Sequence, residues 1–110
     1  MIYRLHITGT AERDLIQAAE YIEFVLKNPS AADALLEDAE CKINALLPFP
    51  KEHPLVDDKL LASWGIRFIQ IKNYLAFYIV SEAEQQITVI RFLYAKSNWL
   101  SILKSGFSLI

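Results

Sequence analysis

The fold is decided by residues 66–94, which read IRFIQIKNYLAFYIVSEAEQQITVIRFLY. Strands favour Ile, Val, Phe and Tyr, and these residue types crowd three runs, 66–71, 74–80 and 87–94. Lys72 and Asn73 form the turn between the first and second runs, and residues 82–85 form the turn between the second and third. Connections this short join antiparallel strands. The stretch therefore predicts an antiparallel sheet of three strands.

Two amphipathic helices are predicted before the sheet. Thr8-Gly9-Thr10 offers an N-cap hydroxyl, and apolar residues then recur every three or four positions to about Lys27: Ala11, Leu15, Ala18, Ile22 and Leu26. Asn28 and Pro29 suit the cap and first position of a second helix, which ends before Pro48 and whose inward face is Ala32, Leu35, Leu36, Ala39, Ile43 and Leu46. Because so few residues join the helices, we expect an antiparallel helical hairpin.

The remaining segments complete a single α+β domain over residues 1–110. Ile2, Leu5 and Ile7 alternate with polar residues and predict a short first strand. Residues 51–63 are polar and mixed and predict a mobile loop. Residues 97–103 predict a short helix, and the tail 104–110 is expected to be flexible. The order is β-α-α-β-β-β-α, with the hairpin packed on a curved, mainly antiparallel sheet.

The composition is apolar for a globular protein of 110 residues, with 54% hydrophobic and 22% charged residues. The excess fits either a well-filled core or an apolar surface that a partner covers. No apolar run reaches the roughly 18 residues of a membrane span, and the N-terminus does not resemble a signal peptide. Cys41 has no second cysteine to pair with. We therefore expect a cytoplasmic protein that does not bind membranes, with no catalytic role for Cys41.

The two halves of the chain differ in charge, although the net charge is only −2. Residues 1–58 hold five basic and eleven acidic side chains, a net charge of −6. Residues 59–110 hold six basic and two acidic side chains, a net charge of +4. This asymmetry suggests that the C-terminal half faces an anionic partner.

Several classes of site are not expected. The histidines, His6 and His53, have no second ligand at helical spacing, so no metal site is predicted. The three glycines are too few and too scattered for a phosphate-binding loop, and no motif indicates a serine or cysteine triad. No cofactor is expected.

The candidate site lies on the C-terminal sheet and comprises Arg67, Arg91, Tyr94 and Lys96, with Trp99 nearby. An arginine within an apolar strand is costly to bury unless it is paired or open to a surface. Its guanidinium suits bidentate contact with phosphate or carboxylate. The alternative is that both arginines form structural ion pairs with acidic residues and that the aromatic residues belong to the core.

An ordered set of short segments resembles the RelE/ParE superfamily of toxins from type II toxin–antitoxin systems, often called plasmid stabilisation proteins. The segments run almost from end to end: Ala11 to Leu15, Tyr21-Ile22, Asn28-Pro29, Ala31-Ala32, Phe49-Pro50, Gly65 to Arg67, Asn73-Tyr74, Phe77-Tyr78 and Val89 to Tyr94. The resemblance implies a cognate antitoxin that covers the toxin, and growth inhibition by one of two activities. RelE-like members are mRNA interferases that cleave messenger RNA on the ribosome without a metal, whereas ParE-like members bind and inhibit DNA gyrase.

The resemblance also implies roles for the candidate residues. Arg67 and Arg91 would hold phosphate, and Arg91 would stabilise charge on the transferring phosphate. Tyr94 stands where many members carry histidine, Lys96 where they carry arginine, and Asn98 where a carboxylate is commoner. Glu52 or His53 could supply a base. On this basis the sequence slightly favours ribosome-dependent mRNA cleavage, with gyrase inhibition, or a non-toxic member that only binds its antitoxin, as the alternatives.

Overall fold

The computed structural model describes residues 2–110, and it confirms the predicted α+β order. The hairpin helices are followed by a sheet and a short C-terminal helix. The bounds of the elements are β1 Arg4–Ile7, α1 Gly9–Glu20, a π-helical turn Tyr21–Val25, α2 Pro29–Asn44, α3 Lys59–Ser63, β2 Arg67–Ile71, β3 Tyr74–Ser81, β4 Gln86–Tyr94 and α4 Trp99–Lys104. Within this part of the chain, no helix is long and apolar enough to cross a membrane.

The sheet has four strands in the order β1-β4-β3-β2. The β2–β3 and β3–β4 pairs are antiparallel, as the short turns predicted, and β1 adds to β4 as a parallel strand. Lys72 occupies the left-handed region at φ 53°, which closes the two-residue turn between β2 and β3. Between β1 and β4 the chain forms the helical hairpin and strands β2 and β3. Strand β4 then pairs with both β1 and β3 and lies between them.

Each face of the sheet has its own core. The helical hairpin covers one face, where Leu35 and Ala39 of α2 pack with Tyr78 and Phe92. The short helices α3 and α4 cover the other face, where Leu61 and Leu103 pack with Phe77 and Ile90. Strands β3 and β4 are consequently buried on both sides, which explains their nearly continuous apolar sequences.

Helix α1 begins as the sequence predicts but ends differently. Thr8 Oγ1 accepts a hydrogen bond from Ala11 N and caps the helix. After Glu20 the chain widens into the π-helical turn, in which Leu26 N donates to the carbonyl of Tyr21 five residues earlier. This extra residue per turn rotates the following side chains, so Leu26, expected in the buried stripe, is 57% exposed. That expectation was wrong because a stripe extrapolated at 3.6 residues per turn ignores the wider turn.

Helix α2 follows its predicted caps. The side chain of Asn28 accepts a hydrogen bond from Ala31 N, and Pro29 occupies the first turn. Its inward residues are buried as predicted, with the exception of Leu36. Leu36 follows Leu35 directly, and neighbours on a helix point about 100° apart, so both cannot face one core.

The segment predicted as a mobile loop contains helix α3. Asp58 caps this helix by accepting a hydrogen bond from Leu61 N, and Lys104 of α4 approaches the same carboxylate at 3.1 Å. Both contacts lower the pKa of Asp58, the backbone hydrogen bond most. Five residues are too few to show a helical period, so the sequence pattern missed this element.

The preceding residues are fixed to the sheet by two side chains. The hydroxyl of Tyr78 donates to the carbonyl of Pro50 at 2.7 Å, and Arg67 Nη1 donates to the carbonyls of His53 at 2.6 Å and Lys51 at 3.3 Å. Burial of the phenol raises the pKa of Tyr78 to about 12, against a smaller lowering by the Arg67 charge. The connection from α2 to α3 is therefore anchored at its first half.

The tail after Lys104 contacts the body of the fold. Phe107 packs edge-to-face on Trp64, and Gly9 N donates to the carbonyl of Ile110 at 3.1 Å. The expected flexibility of this tail stays a prediction.

We expect Tyr78→Phe to lower the free energy of unfolding by about 1 kcal/mol, because the Pro50 carbonyl loses a buried donor. Urea unfolding measures this, with Tyr94→Phe as the control because Tyr94 has an exposed ring. The folded pKa of Tyr78 lies above the ordinary value of about 10, so the wild type loses stability as pH rises from about 10 to about 12. The phenylalanine variant should lose less stability over that range. Equal alkaline slopes for the two proteins would contradict the assignment.

Candidate functional site

Arg91 forms the most extensive side-chain ion pair of the described chain. Its Nε donates to Asp14 Oδ2 at 2.7 Å and its Nη2 donates to Asp14 Oδ1 at 3.0 Å, a bidentate arrangement. Asp14 Oδ2 also accepts a hydrogen bond from the backbone N of Phe92 at 3.1 Å. The side chains of Arg91 and Asp14 are only 22% and 12% exposed. The guanidinium is thus held by an acid of the protein itself.

The chain path explains why Asp14 meets β4. Strand β1 ends at Ile7, so the outer edge of β4 has no strand partner beyond Val89. Thr8 supplies the next hydrogen bonds to this edge: its N donates to the Val89 carbonyl and its hydroxyl donates to the Ile90 carbonyl. One and a half turns along α1, Asp14 then accepts the Phe92 N–H. Thr8 and Asp14 together satisfy the strand edge that β1 leaves open.

Arg67 lies on one edge strand of the sheet, whereas Asp14, the partner of Arg91, lies towards the opposite edge. Arg67 begins β2, and β3 separates β2 from β4, which puts the two strands roughly 10 Å apart. Its guanidinium donates to the carbonyls of Lys51 and His53, between α2 and α3, whereas Arg91 donates to Asp14 of α1. The two predicted phosphate-binding arginines therefore contact different partners. His53 contributes its carbonyl to Arg67, and Glu52 beside it is exposed.

Tyr94 and Lys96 lie where β4 ends. Tyr94 is 44% exposed, and its ring meets Tyr74 edge-to-face with 5.7 Å between centroids. Lys96 is exposed and takes part in none of the ion pairs within residues 2–110. Asn98 caps α4 without a side-chain hydrogen bond. Trp99, which the alternative interpretation assigns to the core, packs on Phe77. Of the four predicted site residues, Tyr94 alone lines the largest cleft.

That cleft, which we call the tyrosine cleft, has a volume of about 630 Å³ and lies between the helical hairpin and the β2–β3 turn. Tyr74 stacks on Phe92 at 5.2 Å with the rings nearly parallel. Burial, with smaller contributions from Tyr94 and Tyr21, raises the pKa of Tyr74, so its phenol stays neutral. The lining residues are Tyr21, Ile22, Leu26, Ala31, Leu35, Lys72, Asn73, Tyr74 and Tyr94.

No pattern in the sequence predicts this cleft. In the sequence, Tyr21 and Tyr74 stand out only as residues of the superfamily resemblance, and Lys72 only as a turn residue. Their proximity depends on how the hairpin tip folds over the β2–β3 turn, which no local pattern encodes. The available signal was the position of Tyr74 at the start of one predicted strand and Tyr94 at the end of the next.

An exposed apolar surface adjoins the cleft at the tip of the hairpin. We call it the tip surface; it comprises Tyr21, Phe24, Val25 and Leu26, each more than half exposed. The π-helical turn carries most of it. A cleft lined by aromatic and aliphatic side chains, continuous with such a patch, is suited to contact with another protein.

Among residues 2–110, no three His, Cys, Asp or Glu side chains gather in a group that could hold a metal ion. Cys41 is free and exposed on α2.

The model of one protein family matches residues 5–99: the ParE toxin of the type II toxin–antitoxin system parDE. The chain belongs to this family of ParE toxins. The match spans β1 to the start of α4, so it covers the hairpin, the whole sheet and the tyrosine cleft. The resemblance to the RelE/ParE superfamily is thereby confirmed.

Solved structures show the same fold. A chain of the chromosomal ParDE toxin–antitoxin system from P. aeruginosa aligns with a TM-score of 0.70 at 17% identity, covering 86% of this chain and 98% of that one. A chain of the toxin–antitoxin complex RelBE2 from Mycobacterium tuberculosis aligns with a TM-score of 0.56 at 18% identity, covering 86% and 99%. No curated protein sequence matches this toxin significantly. It is a toxin of a type II toxin–antitoxin system, and its structural neighbours support an antitoxin as partner.

We expect Asp14→Ala to lower the free energy of unfolding by about 2–3 kcal/mol, because it leaves the Arg91 guanidinium and the Phe92 N–H without their partner. Asp38→Ala is the matched control: it removes the exposed pair with Lys42 and should cost less than about 0.5 kcal/mol. Both are measured by urea unfolding. If the two variants were equally stable, Asp14 would not hold α1 on the sheet.

Proposed function

We propose that this toxin inhibits DNA gyrase by binding it, the activity that the resemblance implies for ParE-like members, and that it does not cleave RNA. The observation that supports this most is the bidentate contact between Arg91 and Asp14. A phosphate bound to this guanidinium would have to share it with, or displace, a carboxylate that already makes three hydrogen bonds, on an arginine side chain that is only 22% exposed. Separating a partly buried ion pair of this kind costs several kcal/mol.

The charge distribution supports the same proposal. Affinity for nucleic acid depends on neutralising several phosphates with free cations, and the net charge is −2. Arg67 is engaged by two carbonyls, and Lys104 and Lys51 are paired with Asp58 and Glu82. With Arg91 and Lys42 also paired, five of the eleven basic residues are held by these contacts. The other six lie on separate elements or loops, so no strand or helix of residues 2–110 presents a row of unpaired cations to an RNA backbone. Gyrase is a cytoplasmic target, in keeping with the location expected from the sequence.

The antitoxin would cover the tip surface and the tyrosine cleft. These regions hold the largest group of exposed apolar side chains that are contiguous along the chain. Their exposure supports the second interpretation of the apolar composition, an apolar surface that a partner covers. Protein interfaces are enriched in the same tyrosine and phenylalanine side chains.

Ribosome-dependent mRNA cleavage stays a prediction. The observation that favours it is that Tyr94 and Lys96 are both exposed at the end of β4, where the resemblance implies proton transfer. In such a site Arg91 would stay shared with Asp14, and Arg67 would hold phosphate through the guanidinium nitrogens that do not contact the connection between α2 and α3.

We expect the purified toxin to block the supercoiling of relaxed plasmid by gyrase, because the proposed activity is a binding event. Growth arrest after induction should occur with transcript 5′ ends unchanged. Heat-denatured toxin serves as the control in the supercoiling assay. Uninhibited gyrase together with new transcript 5′ ends would establish the cleavage activity instead. Uninhibited gyrase with normal growth would indicate a member that only binds its antitoxin.

We expect Phe24→Asp to weaken the complex with the antitoxin encoded beside the toxin by roughly 30-fold, a loss of about 2 kcal/mol for one interface aromatic. Phe24 is 65% exposed, so the variant should fold normally. Leu60→Asp is the matched control, since Leu60 is exposed on α3 at the opposite face of the sheet. Isothermal titration measures both affinities. Equal affinities would show that the antitoxin binds elsewhere.

A further inference from the structure

Lys72 gives the tyrosine cleft its electrostatic character. Among the described lining residues it is the one that carries a formal charge, and the others are tyrosines, aliphatic residues and the amide of Asn73. An ammonium beside a mainly apolar concavity attracts a carboxylate more strongly than it would on an open surface, because the walls exclude part of the solvent.

The position of Lys72 is set by the turn that carries it. The residue holds φ 53° in the two-residue β2–β3 turn, and its carbonyl accepts a hydrogen bond from Gln70 Nε2 at 3.1 Å. The acids of the described chain that form ion pairs contact other cations: Lys42, Lys51, Arg91 and Lys104. Lys72 therefore projects from a defined backbone with its charge open to an external partner.

We propose that the tyrosine cleft binds a segment of the antitoxin chain that inserts an apolar side chain between the tyrosines and places a carboxylate against Lys72. This inference rests on the proposed antitoxin complex and specifies the chemistry of the bound segment. The apolar side chain replaces water along Ile22 and Leu26. The carboxylate fixes the register of the segment.

Charges near the cleft also bear on the orientation of that segment. Glu20 and Glu23 flank the lining residues Tyr21 and Ile22 in the sequence, Lys27 follows Leu26, and all three are exposed. The two glutamates disfavour a carboxylate beside their part of the hairpin, whereas Lys72, which lines the cleft itself, attracts one. A nucleic acid is disfavoured because one cation on an apolar wall cannot neutralise successive phosphates. A second copy of the toxin would bring its own exposed Glu20 and Glu23 towards the same cleft.

The test uses a display library of random 12-residue peptides selected on the immobilised full-length toxin. Selected peptides should carry Asp or Glu within about four residues of an aromatic or aliphatic residue, the spacing that one helical turn or a short extended segment spans. Lys72→Glu should lose this acidic preference. Lys59→Glu, an exposed lysine on α3 without an ion pair in the described chain, is the matched control and should keep it.

The affinity of one selected peptide gives a second readout. By fluorescence polarisation, Lys72→Glu should weaken binding about tenfold and Lys59→Glu should leave it unchanged. Leu26→Asp, within the cleft, should abolish binding. An acidic preference that survives Lys72→Glu, or selected peptides without acids, would overturn the proposal. A toxin dimer that Leu26→Asp dissociates would identify a second copy as the occupant and would also overturn it. Peptide selection needs neither gyrase nor the natural antitoxin, so its outcome is separate from that of the proposed function.

Discussion

The carboxylate of Asp14 is the contact on which the arrangement of helices and sheet depends. It accepts three hydrogen bonds, two from Arg91 and one from the Phe92 backbone, in a place that is mostly shielded from water. Helix α1 is thereby fixed to the edge of β4 beyond the end of β1. Phe92 in turn stacks on Tyr74, which forms a wall of the tyrosine cleft. The geometry of the cleft thus follows from an ion pair that lies outside it.

The Asp14–Arg91 pair also accounts for part of the charge difference between the two halves of the chain. The sequence places an acidic excess in residues 1–58 and a basic excess in residues 59–110, and the asymmetry suggests an external anion. Two of the four ion pairs in residues 2–110 instead join a base of the C-terminal half to an acid of the N-terminal half: Arg91 with Asp14 and Lys104 with Asp58. Lys51 with Glu82 joins the halves in the opposite sense. Part of the asymmetry is therefore complementarity within the fold.

The sequence predicts the features that depend on neighbouring residues and misses those that depend on contacts between distant parts of the chain. The strands and the helix starts depend on local patterns and caps, and Thr8, Asn28 and Pro29 act as expected. The partner of Arg91 lies 77 residues away, and no local pattern selects Asp14 among the other acids of the N-terminal half. The sequence is also compatible with a structural ion pair for each arginine. The structure provides one for Arg91, whereas Arg67 donates to carbonyls.

The π-helical turn links the fold to the proposed binding function. A regular helix through residues 21–26 would have directed Leu26 to the core, as the periodic stripe predicts. The wider turn instead exposes Phe24, Val25 and Leu26 together, although burying each such side chain would contribute about 1.5–3 kcal/mol. An exposed cluster of this kind lowers solubility in the free protein. A partner that covers the cluster would recover this burial free energy as affinity, which is the role proposed above for the antitoxin.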